Sequence, residues 1–276
     1  MDDGSFRWLA RLLLEGSATG WSDARLPVMT TDRRTLRSDE PLAVELTAAL
    51  KHGEVDRLSR LLAADPSLAL SVVQDPKGGG RSALHLFADW PGHHPNAAVI
   101  VPMLAAAGAD VDTPAVGMWH RETPLHWAAS NDDVELIDAL LDAGADIEHA
   151  GSSIDGGSPL SSAVGYGQWA AARQLVERGA KTLFWHEAAL GLMPAITKRV
   201  EDDPRPQPEE LSGPFWNACH GGQLAAAQYL LVHGADLNWP APWSGQTPLD
   251  IAEQAGWSDV VAWLIGKRAS RGKRGA

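Results

Sequence analysis

The chain of 276 residues has a net charge of −12, which argues against general nucleic-acid binding, because that needs a basic footprint to displace counterions. Its hydrophobic fraction of 45% is ample for a core, and its single cysteine, Cys219, excludes an intramolecular disulfide and a multi-cysteine metal cage. No apolar run approaches the roughly 20 residues of a membrane span, and Met1-Asp2-Asp3 is acidic where a signal peptide is basic, so the expected address is the cytoplasm.

In chain order, Phe6, Leu9, Leu12 and Leu13 share a helical spacing, and Glu15-Gly16 ends the run. Phe6–Glu15 therefore reads as a short amphipathic helix within an N-terminal extension, residues 1–41, whose remainder is polar and reads as a loop. Seven units of about 33 residues follow over residues 42–266. The first keeps Ala48-Ala49-Leu50-Lys51-His52-Gly53 and an outer-helix pattern of Val55, Leu58, Leu61 and Leu62. The second runs from Arg81-Ser82-Ala83-Leu84-His85 to Gly108-Ala109-Asp110, with Trp90-Pro91-Gly92-His93-His94-Pro95-Asn96 inserted between its helices. The third, Thr123-Pro124-Leu125-His126-Trp127-Ala128-Ala129 to Gly144-Ala145-Asp146, is the most complete; Asp132 stands where a glycine is usual. The fourth opens on Ser158-Pro159-Leu160-Ser161. The fifth is short, around Phe184–Gly191, and a proline-rich loop, Pro204 to Pro208, follows it. The sixth opens on Pro214-Phe215-Trp216 and ends in Gly234-Ala235-Asp236, and the seventh opens on Thr247-Pro248-Leu249. Residues 267–276 are basic and read as a disordered tail.

Each element has a physical reason. Threonine N-caps the inner helix, and proline in its first turn has no N–H to lose. Glycine after the outer helix takes the left-handed conformation that ends it. Two Thr-Pro-Leu matches and three Gly-Ala-Asp endings make chance no rival. The pattern resembles the ankyrin repeat over about residues 42–266. That resemblance implies an all-α ankyrin-repeat solenoid of antiparallel helix pairs with β-turn fingers and an N-terminal capping helix. It also implies a structural role for His85 and His126, which fall at the family's histidine position, where the ring bridges repeats.

By the same resemblance, function belongs to the concave face formed by the fingers and inner helices. The chain has twelve Trp against four Phe and two Tyr, and Trp is a common binding anchor. The candidate binding residues are Trp90, His93, Trp119, His120, Ser130, Asn131, Tyr166, His220, Trp239 and Trp243. Trp239 and Trp243 could instead pack the Pro240–Pro242 finger upon itself. Trp127, Trp169, Trp216, Trp257 and Trp263 fall on helix positions that pack between layers. The insertion is expected at the groove rim, beside the finger that ends in Glu122.

The leading expectation is a non-catalytic binding protein that takes a partner protein in an aromatic, acidic groove, as a monomer. The rival is a small-molecule pocket or acid/base enzyme (an isomerase, cyclase or hydrolase) around the insertion, with Asp89, Glu122 and His94 as acid/base groups. No cofactor or metal is expected: adjacent histidines lack the spacing of a helix-borne zinc site. Cys219 reads as packing rather than nucleophile.

Overall fold

Several helices in this chain begin where a side chain can satisfy their first amides. The hydroxyls of Ser82, Ser158 and Thr247 accept from the amides of His85, Ser161 and Asp250, at 3.3, 3.2 and 3.3 Å. Pro124, Pro159 and Pro248 each open the helix that follows their cap. The computed structural model describes residues 33–117 and 120–272. The expected helix Phe6–Glu15 and the finger residues Met118 and Trp119 lie outside the described residues.

Fourteen α-helices among the described residues form seven consecutive antiparallel pairs. The inner helices are α1 (Pro41–Lys51), α3 (Ala83–Ala88), α5 (Pro124–Ser130), α7 (Pro159–Gly165), α9 (Phe184–Leu190), α11 (Pro208–His220) and α13 (Pro248–Ala255). Their outer partners are α2 (Val55–Ala64), α4 (Ala97–Ala106), α6 (Val134–Asp142), α8 (Trp169–Glu177), α10 (Met193–Glu201), α12 (Leu224–Val232) and α14 (Ser258–Gly266). Each inner helix packs on the next, so the apolar stripe that a lone pair would expose is buried by its neighbour. Leu46, Leu84, Leu125 and Leu136 are thereby fully buried, and truncating such a leucine to alanine costs about 2–5 kcal/mol.

Small residues set the helix spacing. A Cβ on Gly221 would stand 1.9 Å from the Ala189 carbonyl oxygen, so only glycine lets the end of α11 lie against α9. The space beside Gly222, at φ +71, is filled by the Trp257 indole.

Two hydrophobic clusters make up the core, one from Leu36 to Ala189 and one from Ala188 to Leu264. They divide within α9. There the position held by Trp127 in α5 is taken by Glu187, which is 3% exposed and grips Arg199 of α10 through two bonds of 2.6 and 3.0 Å.

Three sequence expectations are corrected. Thr35–Arg37, expected in a loop, forms β1, which pairs in parallel with β2 (Val72–Gln74); β2 pairs antiparallel with β3 (Gly80–Ser82). Leu36 drives this by burying its side chain in the first cluster. The sixth inner helix starts at Pro208 rather than Pro214, because the Gln207 amide bonds Glu210 and Pro208 supplies a first-turn proline. The start of the basic tail, expected to be disordered, is held, though solvent-exposed: the amides of Ser270 and Gly272 donate to Asn238 and Asp250 at 2.7 and 2.8 Å, and Arg271 pairs with Glu253.

Candidate functional site

The polar groups of the inner helices divide into those that tie one pair to the next and those that face outward. At the finger end, the Nε2–H of His85 donates to the Glu122 carbonyl at 3.1 Å, and that of His126 to the Gly157 carbonyl at 3.0 Å. In His126 the tautomer follows from the Thr123 amide, which donates into Nδ1 at 3.1 Å and leaves the proton on Nε2. The Leu183 amide fixes His186 in the same way, at 3.0 Å. Burial holds His85, His126 and His186 at a pKa of about 4, so all three rings are neutral. The structural role expected of His85 and His126 is what the geometry gives them. In the sixth pair Trp216 occupies this position, and its indole N–H donates to the Gln246 carbonyl at 2.9 Å.

A second ladder crosses the far ends of the inner helices. Asn131 donates to the Ala88 carbonyl at 2.8 Å, Gln168 to Ser130 at 2.8 Å, and the Trp257 indole to His220 at 2.7 Å. Two candidate binding residues, Ser130 and Asn131, are therefore occupied within the scaffold. The Ser130 hydroxyl also donates to the His126 carbonyl, at 2.8 Å.

The insertion after Asp89 does not reach the finger of Glu122. It lies across this far end: the His93 ring donates to the Asn131 carbonyl at 3.0 Å, its amide donates to Asp133, and Asn96 donates to the Gly53 carbonyl at 2.9 Å. The physical reason is topological. The inner-to-outer connection leaves from the C-terminus of an inner helix, whereas the finger enters at its N-terminus; across the seven residues of α5 that separates the two by about 10 Å. The insertion is a brace over the first, second and third pairs.

Of the proposed acid/base groups, Asp89 and His94 therefore stay close together at the far end, whereas Glu122 lies apart from both. Asp89 pairs with Lys51 at 3.0 Å. His94 packs near Phe87, at 6.0 Å between rings, and burial followed by the Lys51 charge lowers its pKa. Glu122 is half-buried at the other end, and burial raises its carboxyl pKa. Burial and then the Glu122 charge raise that of the Tyr166 hydroxyl. Beside Lys51 and Asp89 an open cleft of about 370 Å³ is lined by Ser38, Thr47, Arg81 and apolar side chains, and its cations face Asp89 and Asp75. Burial pushes the Cys219 thiol up, in keeping with packing. Among the described residues no three His, Cys, Asp or Glu side chains are grouped to hold a metal, and no helix is long and apolar enough to cross a membrane.

Aromatic side chains do converge at the other end of the array. Trp243, 53% exposed in the seventh finger, stands edge-on to Trp216 at 5.4 Å and to Trp239 at 5.9 Å. Trp216 lies 5.4 Å from the His220 ring, which meets Trp169 edge-on at 5.1 Å. Burial between those rings lowers the His220 pKa to about 4. Trp239 is half-buried against the second cluster, so the finger does pack on itself through Trp239 while presenting Trp243. Trp90 is 61% exposed on the insertion, and His120 is half-buried. Sequence reasoning assigned Trp169 and Trp216 to interlayer packing and missed that they carry this stripe. The signal was available, since Pro214-Phe215-Trp216 aligns with Pro124-Leu125-His126 and puts Trp216 at the bridging position.

Comparison with known proteins agrees with this geometry. The family model for ankyrin repeats in three copies matches residues 96–183. An ankyrin repeat and KH domain-containing protein of Caenorhabditis briggsae is 30% identical over 186 residues, covering 62% of this chain. The match spans 7% of that much longer relative. The helix pairs, the histidine bridges and these matches agree that the chain contains ankyrin repeats, detected over residues 96–183.

Proposed function

We infer that the chain is a non-catalytic scaffold that holds a partner protein on its concave face. Ankyrin repeats in general mediate protein–protein interaction, through residues that the repeat framework leaves free to vary. The observation that carries the reading here is Trp243: a large ring fixed edge-on between Trp216 and Trp239, with 53% of its surface open to solvent. Rigid, amphipathic rings of this kind make binding hot spots because they lose little conformational entropy on contact. Trp239, His220 and Tyr166 extend the surface along the inner helices, with Trp90 and His120 as further contacts. Trp119 belongs to the same expectation but lies outside the described residues.

The test is capture of a partner from lysate of the protein's own source on the immobilised chain, followed by affinity measurement with the purified partner. Trp243→Ala is expected to weaken binding by about 2 kcal/mol or more while circular dichroism stays unchanged. Capture undiminished by both Trp243→Ala and Trp90→Ala would remove the concave aromatic surface from the account.

A further inference from the structure

The stretch of sequence that carries the aromatic finger is one-sided in charge. Residues 206–266 contain six carboxylates (Glu209, Glu210, Asp236, Asp250, Glu253 and Asp259) and no Lys or Arg. Arg271 of the tail forms a salt bridge with one of them, Glu253. Elsewhere in the chain, ring faces are covered by the chain's own cations: the Arg81 guanidinium stands 5.8 Å over Trp127, and that of Arg199 6.0 Å over Phe184. Among the described residues no Lys or Arg stands over Trp216, Trp239 or Trp243.

We propose that the face formed by the sixth and seventh pairs binds an extended, arginine-containing segment of a partner protein, with a guanidinium seated on Trp243. The proposal rests on the concave-face reading above and names the partner's chemistry. A tryptophan face attracts a cation through its quadrupole, more strongly as water is excluded. Arginine suits it better than lysine, because the planar guanidinium stacks on the ring and is more weakly hydrated. The carboxylates of these two pairs add long-range attraction and suppress acidic competitors. The tail supplies an internal precedent for the backbone as well as the charge. Arg271 takes Glu253 with two guanidinium nitrogens, and the Gly272 amide donates to Asp250 at 2.8 Å. Gly272 also lies so close to the Gly245 carbonyl that a Cβ would stand 2.8 Å from it, two residues along the finger from Trp243. A basic stretch of the chain's own tail thus already lies against this finger.

The test uses the full chain and a short fluorescein-labelled peptide of alternating glycine and arginine, read by fluorescence anisotropy at low ionic strength. The arginine peptide is expected to bind, its glycine–lysine counterpart to bind several-fold more weakly, and Trp243→Ala to weaken arginine-peptide binding about tenfold. Val232→Ala, on an outer helix, serves as the control and is expected to bind like the parent chain. Absence of arginine-peptide binding overturns the proposal, and so does equal binding of the lysine peptide or of Trp243→Ala, because bulk charge then accounts for the result. If Trp243→Ala still loses the lysate partner while the arginine peptide fails, only the basic-segment proposal falls. If Trp243→Ala keeps that partner as well, the concave-face reading falls with it.

Discussion

The second and third pairs and the sixth solve one problem with different side chains. In these pairs the inner helix sends an N–H donor to the carbonyl that precedes the next cap. His85 and His126 do this with imidazoles buried at 0% exposure, and Trp216 does it with an indole. The imidazole rungs sit among cross-braces and ion pairs such as Lys51–Asp89. The indole rung sits in a stretch without Lys or Arg and carries Trp243 on its ring. A donor is all that the scaffold requires, so the position can be given to a residue that also builds a surface. Where it is histidine the fold gains a tie and a titratable group; where it is tryptophan it gains a tie and an anchor.

The contrast can be broken most forcefully with acid. His85, His126, His186 and His220 are held at about 4 against an ordinary value near 6.5, so below pH 6.5 the unfolded chain binds more protons than the folded one. Stability is complete above about pH 6.5 and is lost as the pH falls towards 4, by up to roughly 3 kcal/mol per ring. Three of these rings lie between residues 85 and 186. Hydrogen exchange, corrected for intrinsic rates, is therefore expected to show protection failing first in the first five pairs as pH drops. Simultaneous loss along the whole chain, or earlier loss in the last two pairs, would remove the distinction.

Exchanging the rungs sharpens the comparison. Trp216→Ala removes a side chain 5% exposed together with a donor, and should cost about 3–5 kcal/mol in urea denaturation. His126→Ala removes a smaller ring and leaves the Gly157 carbonyl without its bond, an effect of about 2–3 kcal/mol. Trp216→His should recover part of the loss by restoring the donor. If it were as damaging as Trp216→Ala, packing alone would define the position.

The border between the two regions makes a third, smaller test. Glu187 is almost fully buried, whereas the Arg199 side chain is 44% exposed, so solvent screens half of the pair. Glu187→Ala leaves Arg199 able to turn to water, and about 2 kcal/mol is expected rather than the 3–5 of a fully buried pair. Changing both residues to leucine should return much of it, since the Arg199 position corresponds to the buried Leu140 of the third pair. A double variant less stable than Glu187→Ala would mean that the ion pair itself holds the two clusters together.

Most of the framework could be read from the chain because the repeat's demands are local: Thr-Pro at a helix start and Gly-Ala at its end act within a few residues. What could not be read depends on contacts distant in sequence. The strand Thr35–Arg37 is too short for a periodicity, and its partner is Val72–Gln74. Pro204 to Pro208 looked like a loop throughout, although a proline at a first helical turn is as good a start as a break. The insertion was misplaced because its composition, not its attachment, was read: histidines beside Asp89 suggested chemistry, while their bonds to Asn131 and Asp133 make a brace. The exposure of Trp243 could be read because it follows from a finger position. The Trp216 surface beneath it was not, because a core ring and a bridging ring share the same helical phase.

Asp132 gives the finest test of how far a departure from the repeat can be read. It adopts φ 58, in the left-handed region where Gly53, Gly167 and Gly222 occupy the corresponding turns. An aspartate there is strained by about 1 kcal/mol relative to glycine. Its carboxylate, however, accepts the Ala171 amide at 2.7 Å and so caps the outer helix of the next pair, a bond of about 1 kcal/mol. The two terms nearly cancel, which is how the position tolerates the exchange. Asp132→Gly relieves the strain and loses the cap, so a change within about 0.5 kcal/mol is expected. Asp132→Ala keeps the strain and loses the cap, for about 1–2 kcal/mol. Denaturation midpoints of the two variants decide the matter: glycine milder than alanine by about 1 kcal/mol is the expected order, and equal losses would mean that the cap alone selects aspartate at this turn.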